Sequence, residues 1–173
     1  MMIAFTCSSI RRSLAAALLL SLFVHEATRA AEVAYPKENA QFTIQVPDSL
    51  KPIYRDDSLV LLPTPEDGFV IQVNEQPAAA SKVLGALTER VATQMKLTDL
   101  VLGTASEAEN QHEIECTVMT STGKADGVPI VITIVAFSIE DEKHFTIQSV
   151  GTAELNKKHS GELLDIVDSI RPD

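Results

Sequence analysis

VPIVITIVAFSI, residues 128–139, is β-branched and apolar on both parities, with Thr133 interrupting the run. A strand with one wet face alternates apolar and polar residues, whereas this one must be covered on both faces. It therefore belongs at the centre of a sheet that carries helices on both sides. EDEK at 140–143 then turns the chain back, and HFTIQSVG at 144–151 returns as an antiparallel partner.

The flanking segments extend this sheet. FTIQV at 42–46 alternates, with Phe42, Ile44 and Val46 against Thr43 and Gln45, and Pro47 and Asp48 end it as a strand with one wet face. DSLVLL at 57–62 and FVIQVNE at 69–75 flank PTPEDG, whose prolines and Asp67-Gly68 predict a hairpin. From Ala78 to Lys96 the period becomes helical, with Ala80, Val83, Leu84, Leu87, Val91 and Met95 on one stripe. Gly85 inside that helix costs about 1 kcal/mol against alanine, which points to close packing on a strand. Leu100 to Ser106 and His112 to Thr120 read as strands joined across the polar EAENQ segment. Glu154 to Ile170 reads as a second amphipathic helix, with Leu155, Leu163, Ile166, Val167 and Ile170 inward, ending ahead of Pro172. The class is α+β, an antiparallel sheet of about six or seven strands flanked by two main helices, an α/β/α sandwich.

The N-terminus has the three parts of an export signal. Arg11 and Arg12 form a basic region, Leu14 to Val24 is an apolar run short of the roughly 20 residues that span a bilayer, and Thr28 and Ala30 supply small residues for cleavage after Ala30. The flanks of the arginine pair match a twin-arginine signal only in part, so the export route stays open. The expected organisation is a signal peptide at 1–30, a loose lead-in at 31–40 and a single domain at 41–173, secreted or periplasmic. No later segment is long and apolar enough to span a bilayer. None of Asn39, Asn74, Asn110 and Asn156 opens a glycosylation sequon, which leans towards a bacterial origin.

The full chain carries a net charge of −10, and removal of residues 1–30 leaves 11 basic against 23 acidic side chains, a net −12. Nucleic acid and anionic lipid are therefore disfavoured as partners. Cys116 is the single cysteine after residue 30, so the fold closes no intramolecular disulfide and stands on its core.

Candidate chemistry is sparse. Cys116 shares a parity with His112, Ile114 and Val118 and lies opposite Glu113 and Glu115, the setting of a core thiol rather than a reactive one. His112 and Cys116 together supply two ligands where a structural zinc takes four. Glu140, Asp141 and Glu142 with His144 form a tight acidic turn lacking the spacing of a calcium loop. Ser160 adjoins His159 on a helix, where neighbours point apart, so the two are not a dyad. Tyr54, Arg55, Asp56 and Asp57 place an aromatic and a base in an acidic loop, a candidate recognition patch, with a strand lead-in as the plainer reading. The chain has no G-x-S-x-G, H-E-x-x-H or Gly-rich phosphate loop, so no catalytic residue, metal or cofactor is expected.

By element order and spacing, residues 40 to 171 resemble the PsbP-like family, which shares its fold with the Ran-binding Mog proteins. The resemblance is carried by FTIQVPDSL, the hairpin around PTPEDG, the helix ending at QMKL, the turn TGKADGVPIVITIVAF and the close ELLDIVDSIRP. It is nearest to small exported bacterial members of unassigned function. It implies an α/β/α sandwich that acts by docking, and no substrate. Photosystem members of the family bind a membrane complex and Mog proteins a nuclear GTPase. No residue here matches either set of contacts, and an exported chain cannot meet the latter. The expected function is a non-catalytic extracytoplasmic module that binds a protein or envelope component. A carrier holding an apolar or cationic ligand near Leu87, Val91 and Ile134 is the alternative, with a hydrolase or metal-dependent enzyme behind it.

Overall fold

The structure is a computed structural model that describes residues 30–78, 80–140 and 143–173. The expected signal segment before residue 30, and Asp141 and Glu142 of the acidic turn, lie outside the described residues.

Among the described residues thirteen elements follow one another: β1 (Ala30–Tyr35), β2 (Phe42–Pro47), β3 (Leu50–Arg55), β4 (Ser58–Pro63), β5 (Val70–Gln76), α1 (Ala80–Gln94), β6 (Thr98–Val101), β7 (Ser106–Glu109), β8 (Glu115–Ala125), β9 (Val128–Glu140), β10 (Lys143–Thr152), α2 (Ala153–Asp168) and β11 (Arg171–Pro172). The main antiparallel sheet runs β3-β4-β5-β10-β9-β8-β6, with β7 also paired to β8, so among the described residues it has eight strands where about six or seven were expected. A second, three-stranded sheet runs β1-β2-β11.

The apolar 128–139 run is β9, between β10 and β8 as its two-sided composition requires. Its odd positions Val135 and Phe137 face the layer made by α2 and the small sheet, with Phe42, Phe145, Ile147, Ile166 and Ile170. Its even positions Ile130, Ile132, Ile134 and Ala136 face α1 through Leu84, Leu87 and Val91. Four aromatics tie the two sheets together, Phe145 lying 4.9 Å from Phe42, 5.7 Å from Phe137 and 6.2 Å from Tyr35 between ring centroids. Edge-to-face packing of this kind adds to the area that the rings bury.

Several sequence expectations need correction. Residues 30–35 are a strand paired to β2 rather than a loose lead-in, because Val33 and Tyr35 alternate into the core. The polar face of strand β2 is only partly wet: Gln45 is half-buried, and Thr43 is covered by Arg171, whose Nε donates to the threonine hydroxyl at 3.1 Å. The expected strand from His112 begins only at Glu115. The Asn110 side-chain oxygen accepts from the amides of His112 (2.9 Å) and Ile114 (3.0 Å), closing a turn in which Glu113 takes φ 62°. On β8 the parity opposite Cys116 is not wholly charged, since Met119 is buried beneath α1. The expected strand from Leu100 to Ser106 is two strands that share the outer edge of β8, broken where Gly103 approaches the Thr120 backbone so closely that a Cβ would lie 1.9 Å from its carbonyl oxygen.

Gly85 does not mark a close approach, because nothing lies within 4 Å of a Cβ built there. Gly85→Ala is therefore expected to stabilise the protein by about 0.5–1 kcal/mol, as alanine restricts the unfolded chain and favours helix. A urea unfolding curve checks this, and a midpoint shifted to lower urea would place a neighbour against that face.

Helix α2 is closed at both ends by side chains. The Thr152 hydroxyl accepts from the Leu155 amide, and the Ser169 hydroxyl donates to the Ile166 carbonyl at 2.8 Å while accepting from the Gln45 amide at 2.8 Å. Asn110 is 7% exposed, and its side-chain NH2 donates to the carbonyls of Val167 (3.2 Å) and Ile170 (2.8 Å). The Val167 carbonyl also accepts from the Ile170 amide at 3.3 Å in the turn that closes the helix, and Asn110 fixes this C-terminal end of α2 against the β7–β8 turn.

Candidate functional site

The end of β1, the link that follows it, the β3–β4 turn and β5 meet at a cleft of about 310 Å³. Strand pairing builds it. Register between β3 and β4 sets Arg55 opposite Ser58, leaving Asp56 and Asp57 as a two-residue turn with Asp56 at φ 47°, a left-handed conformation that Asp tolerates. Tyr35 forms the floor, 2% exposed, held by rings of Phe42 and Phe145 and donating its hydroxyl to the Asp57 carbonyl. Tyr54 is the wall, its hydroxyl donating to the Ala34 carbonyl, and the Lys37 Nζ sits 5.5 Å from its ring centroid.

Beside Pro36 and Ser58, the lining includes Glu38, Asp56, Asp57 and Glu75, all four exposed and none in an ion pair with a described residue. Burial pushes the Tyr35 hydroxyl pKa up, a backbone hydrogen bond at Glu75 offsets part of this, and the negative charges of Glu75 and Asp57 add smaller upward pushes. Burial also raises Tyr54. Both phenols are thus neutral donors at neutral pH, at the base of an anionic rim. Of the four patch residues read from sequence, Tyr54, Asp56 and Asp57 line this cleft; Arg55 is exposed and is not part of its lining. Sequence reading did not single out Tyr35, Lys37, Glu38 or Glu75, which join from other elements.

A second constellation gathers around His159, which the sequence paired only with Ser160. His159, 4% exposed, stacks on Phe69 with ring centroids 4.6 Å apart. Its Nε2 lies 2.9 Å from Asp67 Oδ2 and its Nδ1 contacts Glu162 Oε2. Lys158 Nζ reaches the same Asp67 oxygen at 2.7 Å, and the Ser49 hydroxyl donates to Glu162. Lys158 first, then His159, holds the Asp67 carboxyl well below the usual carboxylate range. Among the described residues no hydroxyl hydrogen-bonds to the imidazole, and Ser160 is exposed and donates to the Lys157 carbonyl. The cluster clamps α2 to the β4–β5 loop and the β2–β3 turn, and has no activated nucleophile.

The other singled-out residues lie apart. Cys116 is 3% exposed, its thiol 3.6 Å from the Ile114 carbonyl and its pKa pushed up to about 11 by burial, with Asp168 adding. It stays a neutral thiol at neutral pH, beneath a shallow cleft bordered by Glu107, Glu109 and Glu115. His112 is exposed in the turn before β8 and does not approach the sulfur through strand pairing. His144 Nδ1 lies 2.7 Å from the Ser138 hydroxyl across the β9–β10 pair. Leu87 and Ile134 are packed in the core under α1, and only Val91 reaches a groove, which is otherwise bordered by polar residues including Gln72, Asn74, Arg90 and Gln148. Among the described residues no three of His, Cys, Asp and Glu gather as metal ligands, and no helix is long and apolar enough to cross a membrane.

No family model matches this chain, and no curated protein is similar to it in sequence. Solved structures are similar in fold. The cyanobacterial PsbP protein of Synechocystis sp. PCC 6803 superposes with a TM-score of 0.61 at 8% identity, over 84% of this chain and 94% of that one. The Pseudomonas aeruginosa protein PA94, of unknown function, gives 0.52 at 11% identity, over 82% and 97%. With an antiparallel sheet between helices, the chain has the PsbP-like α+β fold.

Proposed function

We propose that this protein is a non-catalytic binding module acting outside the cytoplasm, and that it docks a protein or envelope component through the cleft beside Tyr54 and the β3–β4 turn. The observation that carries this reading is the cleft itself. Two tyrosines fixed by the core stand under four exposed carboxylates that have no ionic partner among the described residues, and aromatic groups on a rigid frame are the usual anchors of recognition surfaces. The export signal read at residues 1–30 supports the location, and the absence of an activated nucleophile at His159 supports binding over catalysis.

Affinity capture from an envelope extract tests this, comparing the tagged protein with its Asp57→Asn/Glu75→Gln variant. A defined partner set retained by the wild type and reduced at least threefold by the variant is expected. Wild-type capture no greater than background, or capture indifferent to the two carboxylates, would overturn it.

A further inference from the structure

We propose that the cleft receives the lysine or arginine side chain of a protein partner, and that Lys37 occupies the same place while the partner is absent. This rests on the docking reading above and gives its chemistry. The lining combines a ring face, Tyr54, with carboxylates from three separate elements, Glu38, Asp56 with Asp57, and Glu75. An aromatic face attracts a cation through its quadrupole, and flanking carboxylates hold it by charge-assisted hydrogen bonds. The cleft already demonstrates the contact, since its own Lys37 ammonium lies 5.5 Å from the Tyr54 centroid. Lys37 is exposed, is in no ion pair with a described residue and sits on the link between β1 and β2, so it can swing away without disturbing a strand.

The docking reading puts a protein side chain, rather than a free polyamine, in the cleft, and the spermidine arm of the test separates the two. The net charge of −10 steers a basic segment to this protein at long range.

The test is an NMR titration of the 15N-labelled chain with acetyl-Gly-Arg-Gly-amide, with the citrulline peptide as a neutral isostere and spermidine as a free amine. Saturable shifts at Lys37, Tyr54 to Ser58 and Glu75 are expected with the arginine peptide, at least fivefold weaker binding for citrulline and for Asp57→Asn/Glu75→Gln, and about threefold tighter binding for Lys37→Ala. Equal binding of citrulline, or shifts confined elsewhere, would overturn the cation site. Spermidine binding more tightly than the peptide would overturn the protein side chain as its occupant. Weaker binding by Lys37→Ala would overturn the place-holding role and make Lys37 part of the wall. If the peptide fails while carboxylate-dependent capture from envelope extract persists, docking stands without this chemistry. If the peptide binds and nothing is captured, the cation site stands and the docking reading falls.

Discussion

Phe145→Ala is expected to cost about 3–5 kcal/mol of stability, the range found when a buried phenylalanine is truncated in a packed core. Phe145 is 0% exposed and its ring touches Tyr35 and Phe42 of the small sheet as well as Phe137 on the neighbouring strand of the large one. Its removal opens the seam between the two sheets, and strands pinned on both sides cannot collapse far into the space. A domain of this size holds only about 5–15 kcal/mol in total, so the variant should unfold at a much lower urea concentration. The same change also loosens the floor of the acidic cleft, because Tyr35 loses one of its two ring contacts. Urea unfolding followed by far-ultraviolet circular dichroism measures the loss. A loss below about 1 kcal/mol would show that the two sheets close around the cavity and that the aromatic seam is not what joins them.

The second large effect is expected at His159. His159→Ala leaves Asp67 and Glu162 facing each other's charge with the imidazole gone and removes the ring stacked on Phe69, a loss of about 2–4 kcal/mol by comparison with other broken buried pairs. The clamp also fixes a pH dependence through Asp67. Its carboxyl pKa is depressed in the folded protein by Lys158 and His159. A depressed carboxyl binds fewer protons folded than unfolded, so its contribution is complete above the unfolded value of about 4 and fades as the pH falls below it. The stability gap between wild type and Asp67→Asn is therefore largest at neutral pH and narrows on acidification below pH 4. Urea midpoints for the pair from neutral to acid pH check this, and a gap that widened towards acid would contradict the assignment.

Much of the architecture was legible because burial is written into periodicity. The unbroken apolar character of 128–139 requires cover on both faces, and β9 has it. The PTPEDG hairpin and both amphipathic helices follow from patterns a few residues long. Strand β3 was not read, because Pro52, Lys51 and Arg55 spoil its alternation; as an edge strand it pairs only with β4 and tolerates a proline. Strand β1 was missed for a related reason, since only Val33 and Tyr35 of its six residues are buried.

The sites were less legible than the fold. Asn110 looked like one more polar residue in EAENQ, yet it is buried and binds the end of α2 some 60 residues away. His159 looked like a scattered histidine on a helix, and its partner Asp67 lies 92 residues earlier, in a turn predicted only for its shape. Three of the four residues of the Tyr54 patch line a cleft, but the floor comes from β1 and a further carboxylate from β5.

By itself the sequence determined the α+β class, the central place of β9, the two-sided core and the acidic surface, because each depends on local spacing or on composition. Only the tertiary structure decided which polar groups meet. Convergence of Tyr35, Tyr54, Asp57 and Glu75 depends on the registers of separate strand pairs and on how the small sheet seats against the large one. Those registers are chosen by the summed packing of residues far apart in the chain, and a periodic pattern records which face of a strand is buried without recording what lies across from it.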